Sequence, residues 1–351
     1  MGYYAGPEIF RRFMMENIRE KILSFNSLLI GYNYGKSSNI LLPPLTSFAL
    51  KGELIALIGQ NGIGKSTFLR TIAGLQGSLG GEIMIKNKQI GEYGRYDLAN
   101  NIGYISTEPV RVSNMKVYDL VALGRYPHTN WTGKLKSNDR ELVNEAIDKV
   151  GLNRLTNRFI NELSDGERQR AMIARVLAQD AEILVMDEPT AFLDIRSKYE
   201  IVHLLHDLSK NKGKTIIFST HDLLTAISES DKVWLALRDS FTEGAPEDLV
   251  LNGSFNKLFD SSVVNFSVAD ASFTFIKRQI HGKVTVDAEG VLRYWTEKAA
   301  NRAGFEISND HSGIRIKVTL DDDEQKWLVY TETTVIEFAS LYQLVNWLNT
   351  R

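Results

Sequence analysis

"ELIALIGQNGIGKSTFLRTIAGL", residues 53–75, decides the reading of this chain. Leu54 to Ile58 are apolar without a break, as in a strand covered on both faces. The run leads directly into GQNGIGKS at 59–66 and then into a helix, FLRTIAGL. That string matches G-x-x-x-x-G-K-[ST], and the order strand, loop, helix gives the match its physical content. Gly59, Gly62 and Gly64 let the backbone wrap phosphates with its N–H groups turned inward, and Asn61 lies within that loop. Lys65 is placed to pair with the β- and γ-phosphates, Ser66 to ligate Mg²⁺, and Thr67 to add a hydroxyl to the α-phosphate.

A second chemical cluster is AEILVMDEPT, 181–190. Its apolar run reads as a buried strand that delivers Asp187 at its C-terminal end, where ligands collect in parallel α/β sheets. Asp187 suits a Mg²⁺ contact, and Glu188 suits the general base that polarises an attacking water. His221 follows another apolar strand, TIIFST, and is expected to stand beside Asp187 and Glu188 and to steady the γ-phosphate and the water. His128, His203, His206 and His281 have no such company and read as surface or packing residues.

The stretch NELSDGERQRAMIARVL, 161–177, opens a helix. Ser164 and Glu167 have the spacing of a capping box, and Gly166 between them allows close approach of another chain or ligand. A helix N-terminus is an anion site, so the chain holds a second phosphate cradle about a hundred residues after the first.

Composition narrows the remaining classes. The chain has 351 residues, 43% of them hydrophobic and 24% charged, with a net charge of −2. That length favours two domains, and no global basic field points to nucleic acid or anionic lipid. Absence of cysteine removes disulfides and thiol chemistry. No apolar run approaches the ~18–20 residues that cross a bilayer. The first residues, MGYYAG, carry no signal-peptide pattern, and Met14 or Met15 is an alternative start; residues 1–23 are read as an N-terminal extension without function.

Strands SLLIGYNY, SFALKG and GEIMIKNKQI form a β-rich part before residue 91, and NIGYIS (101–106) is a buried strand by pattern. KVYDLVALGRYPH and DRELVNEAIDKVGL have helical spacing. Strands then alternate with helices to about 235, which indicates a parallel α/β sheet. From 274 the texture changes to alternating strands, IHGKVTV, GIRIKVTL, KWLVYT and TVIEFA, with helices VLRYWTEKAANRAG and SLYQLVNWLN. This is a small α+β domain, 274–351, in which Trp295, Trp327 and Trp347 are expected in the core. DDDE at 321–324 reads as a solvated hairpin loop.

In this order GQNGIGKST, LSDGERQR, ILVMDEPTAFLD and STHD resemble the nucleotide-binding domain of ABC transporters, over residues 24 to 255. The resemblance implies a P-loop ABC ATPase over 24–260: a RecA-like core, an N-terminal antiparallel β subdomain and a helical subdomain at about 108–168. It implies ATP and Mg²⁺ as cofactors and a homodimer on nucleotide binding. Each ATP would lie between the phosphate loop of one subunit and Ser164, Gly166 and Glu167 of the other, with Asp194 bridging the subunits. Asp165 replaces a glycine of the family pattern, so its side chain must turn away from the nucleotide. Tyr32, or Tyr34 beside it, matches the aromatic that stacks on adenine. In GYISTEP, 103–109, Thr107 stands where the family has a glutamine that contacts Mg²⁺; Thr107 or Glu108 would take its place.

KVYDLVALGRYPH resembles the subfamily that imports ferric siderophores, haem or cobalamin. The resemblance implies transmembrane permease subunits docked around residues 107–131, a substrate-binding protein acting indirectly, no nucleic acid, and a place at the cytoplasmic face of the cell membrane. The alternative is a soluble ATPase of the same family acting on nucleic acid, ribosomes or iron–sulfur assembly. For the C-terminal domain, a regulatory ligand site or a dimer contact is the functional alternative to a plain core.

Overall fold

The computed structural model describes residues 19–35, 37–107, 114–129, 133–259, 264–267, 272–275, 280–310, 313–321, 324–331 and 333–351. The chain divides into two compact units: Met1–Ser261 with Phe266–Ser272, and Ser262–Asn265 with Phe273–Arg351.

The first unit is built on a six-stranded sheet. Its order is Phe241–Gly244, Lys232–Ala236, Leu54–Gly59, Thr215–Ser219, Ile183–Met186, Ile102–Ile105. All neighbours are parallel except the Phe241–Gly244 edge. Alternate residues of a strand face opposite sides, and both sides are covered here. Leu54, Ala56, Leu184, Met186, Ile216 and Phe218 join one core with the helices. Ile55, Leu57, Ile183, Val185 and Ile217 join another, with Phe25, Phe68 and Trp234. This double burial is why the central strands read as unbroken apolar runs. Because they are parallel, Gly59, Asp187 and Ser219 emerge at one end of the sheet. Thr215–Ser219 does lie beside Ile183–Met186.

A four-stranded antiparallel sheet, ordered Leu45–Leu50, Lys21–Leu29, Gly80–Ile85, Lys88–Gln89, covers the second core. Its longest strand begins at Lys21, inside the stretch read from sequence as an extension ending at 23. The reason is burial: Ile22 and Leu23 are both core residues. On the other side lie the helices Val117–Ala122, Ser137–Lys149 and Asp165–Ala178. KVYDLVALGRYPH is not one α-helix. Leu123–His128 tightens to a 3₁₀-helix containing Pro127, whose missing N–H and ring forbid a continued α-helical ladder.

The second unit has a five-stranded sheet ordered Phe305–Ile307, Gly282–Asp287, Ile314–Asp321, Glu324–Tyr330, Val335–Phe338, parallel across the first three strands and antiparallel beyond. Helices Gly290–Arg302 and Leu341–Leu348 close a core of Val284, Ile316, Trp327, Val329 and Leu344. Trp327 donates its indole N–H to Thr296 Oγ1 at 2.9 Å. Trp347 packs against this core, but Trp295 is 57% exposed. The helix turns Thr296, Ala299 and Ala300 inward, which leaves Val291, Tyr294 and Trp295 on its outer face. Of DDDE, Asp321 pairs with Glu324 at the end of the hairpin ladder, and the two residues between lie outside the described residues.

Candidate nucleotide site

The phosphate loop follows Leu54–Gly59 and ends at the helix Lys65–Ile72. Gly62 and Gly64 have φ of +79° and +111°, a region costly for any residue with a β-carbon. Gly64 caps the helix without a side chain, so the first N–H groups are left for an anion. Lys65 is buried and donates to the carbonyls of Gly59 at 2.9 Å and Gln60 at 3.3 Å. Burial pulls its ammonium below the ordinary lysine range, while Glu188 and Asp187 pull the other way.

A cleft of about 560 Å³ is lined by Tyr32, Leu41, Asn61, Gly62, Gly64, Lys65, Ser66, Thr67, Glu188 and His221. Residues far apart in sequence thus meet over the loop. Tyr32 OH and Thr67 Oγ1 are 2.8 Å apart, and Tyr34 stands beside Tyr32 with ring centroids 6.5 Å apart, outside the lining. His221 Nδ1 is 3.8 Å from Glu188 Oε2. Glu188 has φ +47°, a strained conformation for a residue with a β-carbon and one that gathers at functional sites. Behind it, Asp187 is buried and its Oδ1 accepts from Ser219 Oγ at 2.7 Å. Ser219 Oγ also accepts from the Glu188 N–H at 2.8 Å. Sequence reading missed Ser219 and Leu41; the signal for Ser219 was a hydroxyl closing the apolar run TIIFS. Thr107 Oγ1 donates to the Asp187 carbonyl at 3.1 Å and does not line the cleft. Glu108 lies outside the described residues.

Ser164, Gly166, Glu167 and Asp194 gather in a second cleft of about 530 Å³, which shares no lining residue with the first. The capping box forms: Ser164 Oγ accepts from the Glu167 N–H at 3.2 Å, and Glu167 Oε2 accepts from the Ser164 N–H at 2.9 Å. Asp165 pairs with Arg168 at 2.8 Å. The acidic pair of LSDGE is therefore engaged within its own first turn. Asp194 caps the helix Ile195–Lys210 by accepting from the Ser197 N–H at 2.9 Å and its hydroxyl at 3.0 Å, which hold its carboxyl below the usual range. Arg170, Arg196, Ser197 and Glu200, not singled out in the sequence, line the same cleft; Glu200 pairs with Arg170 and Arg196.

Residues 46–191 match the ABC transporter family, and residues 281–349 match the iron ABC transporter C-terminal domain. An uncharacterized ABC transporter ATP-binding protein of Methanocaldococcus jannaschii is 34% identical over 75% of this chain and 89% of the relative. The chain belongs to the ABC transporter ATP-binding proteins. The achromobactin transport ATP-binding protein of Dickeya dadantii is 35% identical over 65% of this chain and 84% of the relative. Among solved structures, cbiO1 of Clostridium perfringens, part of the ABC transporter complex cbiONQ, is 30% identical with a TM-score of 0.59, covering 68% of this chain and 94% of that one. This ABC protein accordingly binds ATP and hydrolyses it in a reaction coupled to transport. It joins an ABC ATPase domain to an iron ABC C-terminal domain. Among its described residues no helix is long and apolar enough to cross a membrane.

Proposed function

We propose that this chain energises an importer for ferric siderophores and works as a homodimer with two ATP molecules held between its copies. One observation supports the dimer: two clefts with disjoint linings, one around the phosphate loop and one at the start of the helix that follows LSDGE, and in this reading each is half of a nucleotide site. Head-to-tail pairing of two copies places the γ-phosphate held by Lys65 against Ser164 and Gly166 of the other copy, with Asp194 at the seam. The substrate class rests on relatives named for achromobactin and, in Escherichia coli, ferric enterobactin, and on the C-terminal match.

Within this reading Tyr32 stacks on adenine, and Asn61, Gly62, Gly64, Thr67 and Lys65 hold the phosphates. Glu188 takes a proton from the water that attacks the γ-phosphorus as the bond to the bridging oxygen breaks, and His221 steadies the γ-phosphate beside it. The Ser66 hydroxyl and the buried Asp187 carboxylate are hard oxygen donors of the kind Mg²⁺ takes alongside substrate phosphates; Thr107, which donates to the Asp187 carbonyl, would act on the ion through that backbone. When bound, the ion neutralises charge developing on the phosphates. Residues 107–131, of which 108–113, 130 and 131 lie outside the described residues, receive a cytoplasmic helix of a permease, which places the chain at the cytoplasmic face of the membrane. The test is purification from detergent-solubilised membranes through a tag on the chain. A membrane-embedded permease is expected to copurify, and recovery only with ribosomes or DNA overturns the proposal.

A further inference from the structure

The apolar run TIIFS ends in a hydroxyl that the reaction described above leaves without a role. Ile216, Ile217 and Phe218 are buried, and Ser219 is 0% exposed. A hydroxyl so placed must find partners, because a buried polar group left unpaired is costly. The parallel register pairs Phe218 with Met186. The residues that follow on each strand, Ser219 and Asp187, therefore stand side by side.

Chemistry fixes the direction of the two bonds that Ser219 makes. The Glu188 N–H can only donate, so Ser219 Oγ accepts from it at 2.8 Å. A carboxylate only accepts, so the single proton on Oγ goes to Asp187 Oδ1 at 2.7 Å. One hydroxyl thus joins the main chain of Glu188 to the side chain of Asp187.

Glu188 needs that support. Its φ of +47° is left-handed, and a residue with a β-carbon stays there only where its surroundings hold it. The groups on either side are pinned. The Asp187 N–H donates to the Ile105 carbonyl at 2.9 Å, and the Asp187 carbonyl accepts from Thr107 Oγ1 at 3.1 Å. The Glu188 carbonyl accepts from the Ala191 N–H at 3.0 Å. Ser219 holds the Glu188 N–H from the neighbouring strand. Two residues further on, the same segment delivers His221, whose Nδ1 lies 3.8 Å from Glu188 Oε2. Ser219 itself does not line the nucleotide cleft, so any effect on the reaction passes through the residues it holds.

We propose that Ser219 is a positioning residue for ATP hydrolysis: its hydroxyl holds the left-handed backbone of Glu188 and the direction of the Asp187 carboxylate, and so sets the general base against His221 and the attacking water. The proposal rests on the reading of Glu188 as general base. The hydroxyl keeps its proton and acts by geometry alone. A base that drifts out of hydrogen-bond reach of the water loses its rate advantage, while the phosphate loop that holds ATP is untouched.

The experiment uses the full chain. Ser219→Ala removes both hydrogen bonds. The expected result is kcat for ATP lowered roughly tenfold to hundredfold, with KM for ATP unchanged. The affinity for a fluorescent ATP analogue in EDTA should also stay at the parental value. In the nucleotide-free chain, hydrogen exchange at the Glu188 amide should quicken, since its acceptor is gone. Ser219→Cys, whose thiol still donates and accepts weakly, should recover part of the rate. Because Ser219 acts through Glu188, adding Ser219→Ala to Glu188→Gln should slow turnover little beyond Glu188→Gln alone. A parental kcat in Ser219→Ala overturns the proposal, as do losses that multiply in the double variant. So does a loss of nucleotide affinity in EDTA, because the residue then serves only the fold. If Glu188→Gln keeps the parental rate, the general-base reading fails on its own evidence, and this proposal falls with it.

Discussion

Gly166 stands so close to Ser197 that a β-carbon on it would lie 2.7 Å from the Ser197 hydroxyl and 3.0 Å from its β-carbon. That hydroxyl is already committed to Asp194. The glycine of LSDGE thus packs the start of one helix onto the start of the next, on the cleft assigned to the partner's nucleotide.

Gly166→Ala is expected to cost about 1–3 kcal/mol of stability through overpacking. Adding Ser197→Ala should recover part of that in urea denaturation, since one of the two close contacts is removed. ATPase activity should stay low in both variants, because the added methyl also occupies the approach to a phosphate. Full recovery of activity in the double variant would show that Gly166 serves packing alone.

Glu188→Gln should lower ATP turnover by about 10²–10⁴-fold, the range for loss of a general base. Gel filtration with ATP should then show a dimer, trapped because hydrolysis no longer releases it. A variant that remains monomeric with ATP contradicts the shared-nucleotide arrangement.

Tyr32 separates two contributions. Tyr32→Phe keeps the ring and loses the contact with Thr67, a change of about 0.5–1.5 kcal/mol at most. Tyr32→Ala removes the ring proposed to stack on adenine and should weaken ATP binding by about 1–3 kcal/mol. Fluorescent-nucleotide titrations of the three proteins decide it; equal affinity in the alanine variant would exclude Tyr32 from the adenine site.

The buried Arg125–Asp139 pair predicts an acid limb in stability. Burial alone raises the Asp139 carboxyl, but the Lys136 N–H and the Arg125 guanidinium outweigh it and hold the group below the usual carboxylate range. A depressed folded-state value stabilises the protein above the unfolded value, about 3.9 for aspartate. That contribution is lost as pH falls through the lower folded value. Urea denaturation between about pH 6 and pH 2.5 should show the parent losing more stability than Asp139→Asn. Parallel curves would mean that the pair does not titrate with folding.

The residues that make chemistry local to one loop were legible in the chain itself. GQNGIGKST declares its phosphate loop because a short run of backbone must wrap an anion, and that demand falls on consecutive positions. LSDGE showed its capping box for the same reason: the reciprocal bonds of Ser164 and Glu167 span three residues. The parallel sheet announced itself through unbroken apolar strands, since both of their faces are covered.

Tertiary packing alone decided the rest. Ser219 holds both the Asp187 carboxylate and the Glu188 N–H because strand order places Thr215–Ser219 beside Ile183–Met186. No sequence spacing encodes that neighbour. Trp295 turned outward because Thr296 and Ala299 of the same helix took the inward positions. Arg125 closes the end of the Asp165–Ala178 helix because a 3₁₀ turn containing Pro127 aimed it at the Ala178 carbonyl, more than fifty residues away. Local hydrogen bonds and apolar periodicity are written between near neighbours along the chain. Pairings across strands and helices exist only once the folded backbone brings distant groups within hydrogen-bond reach.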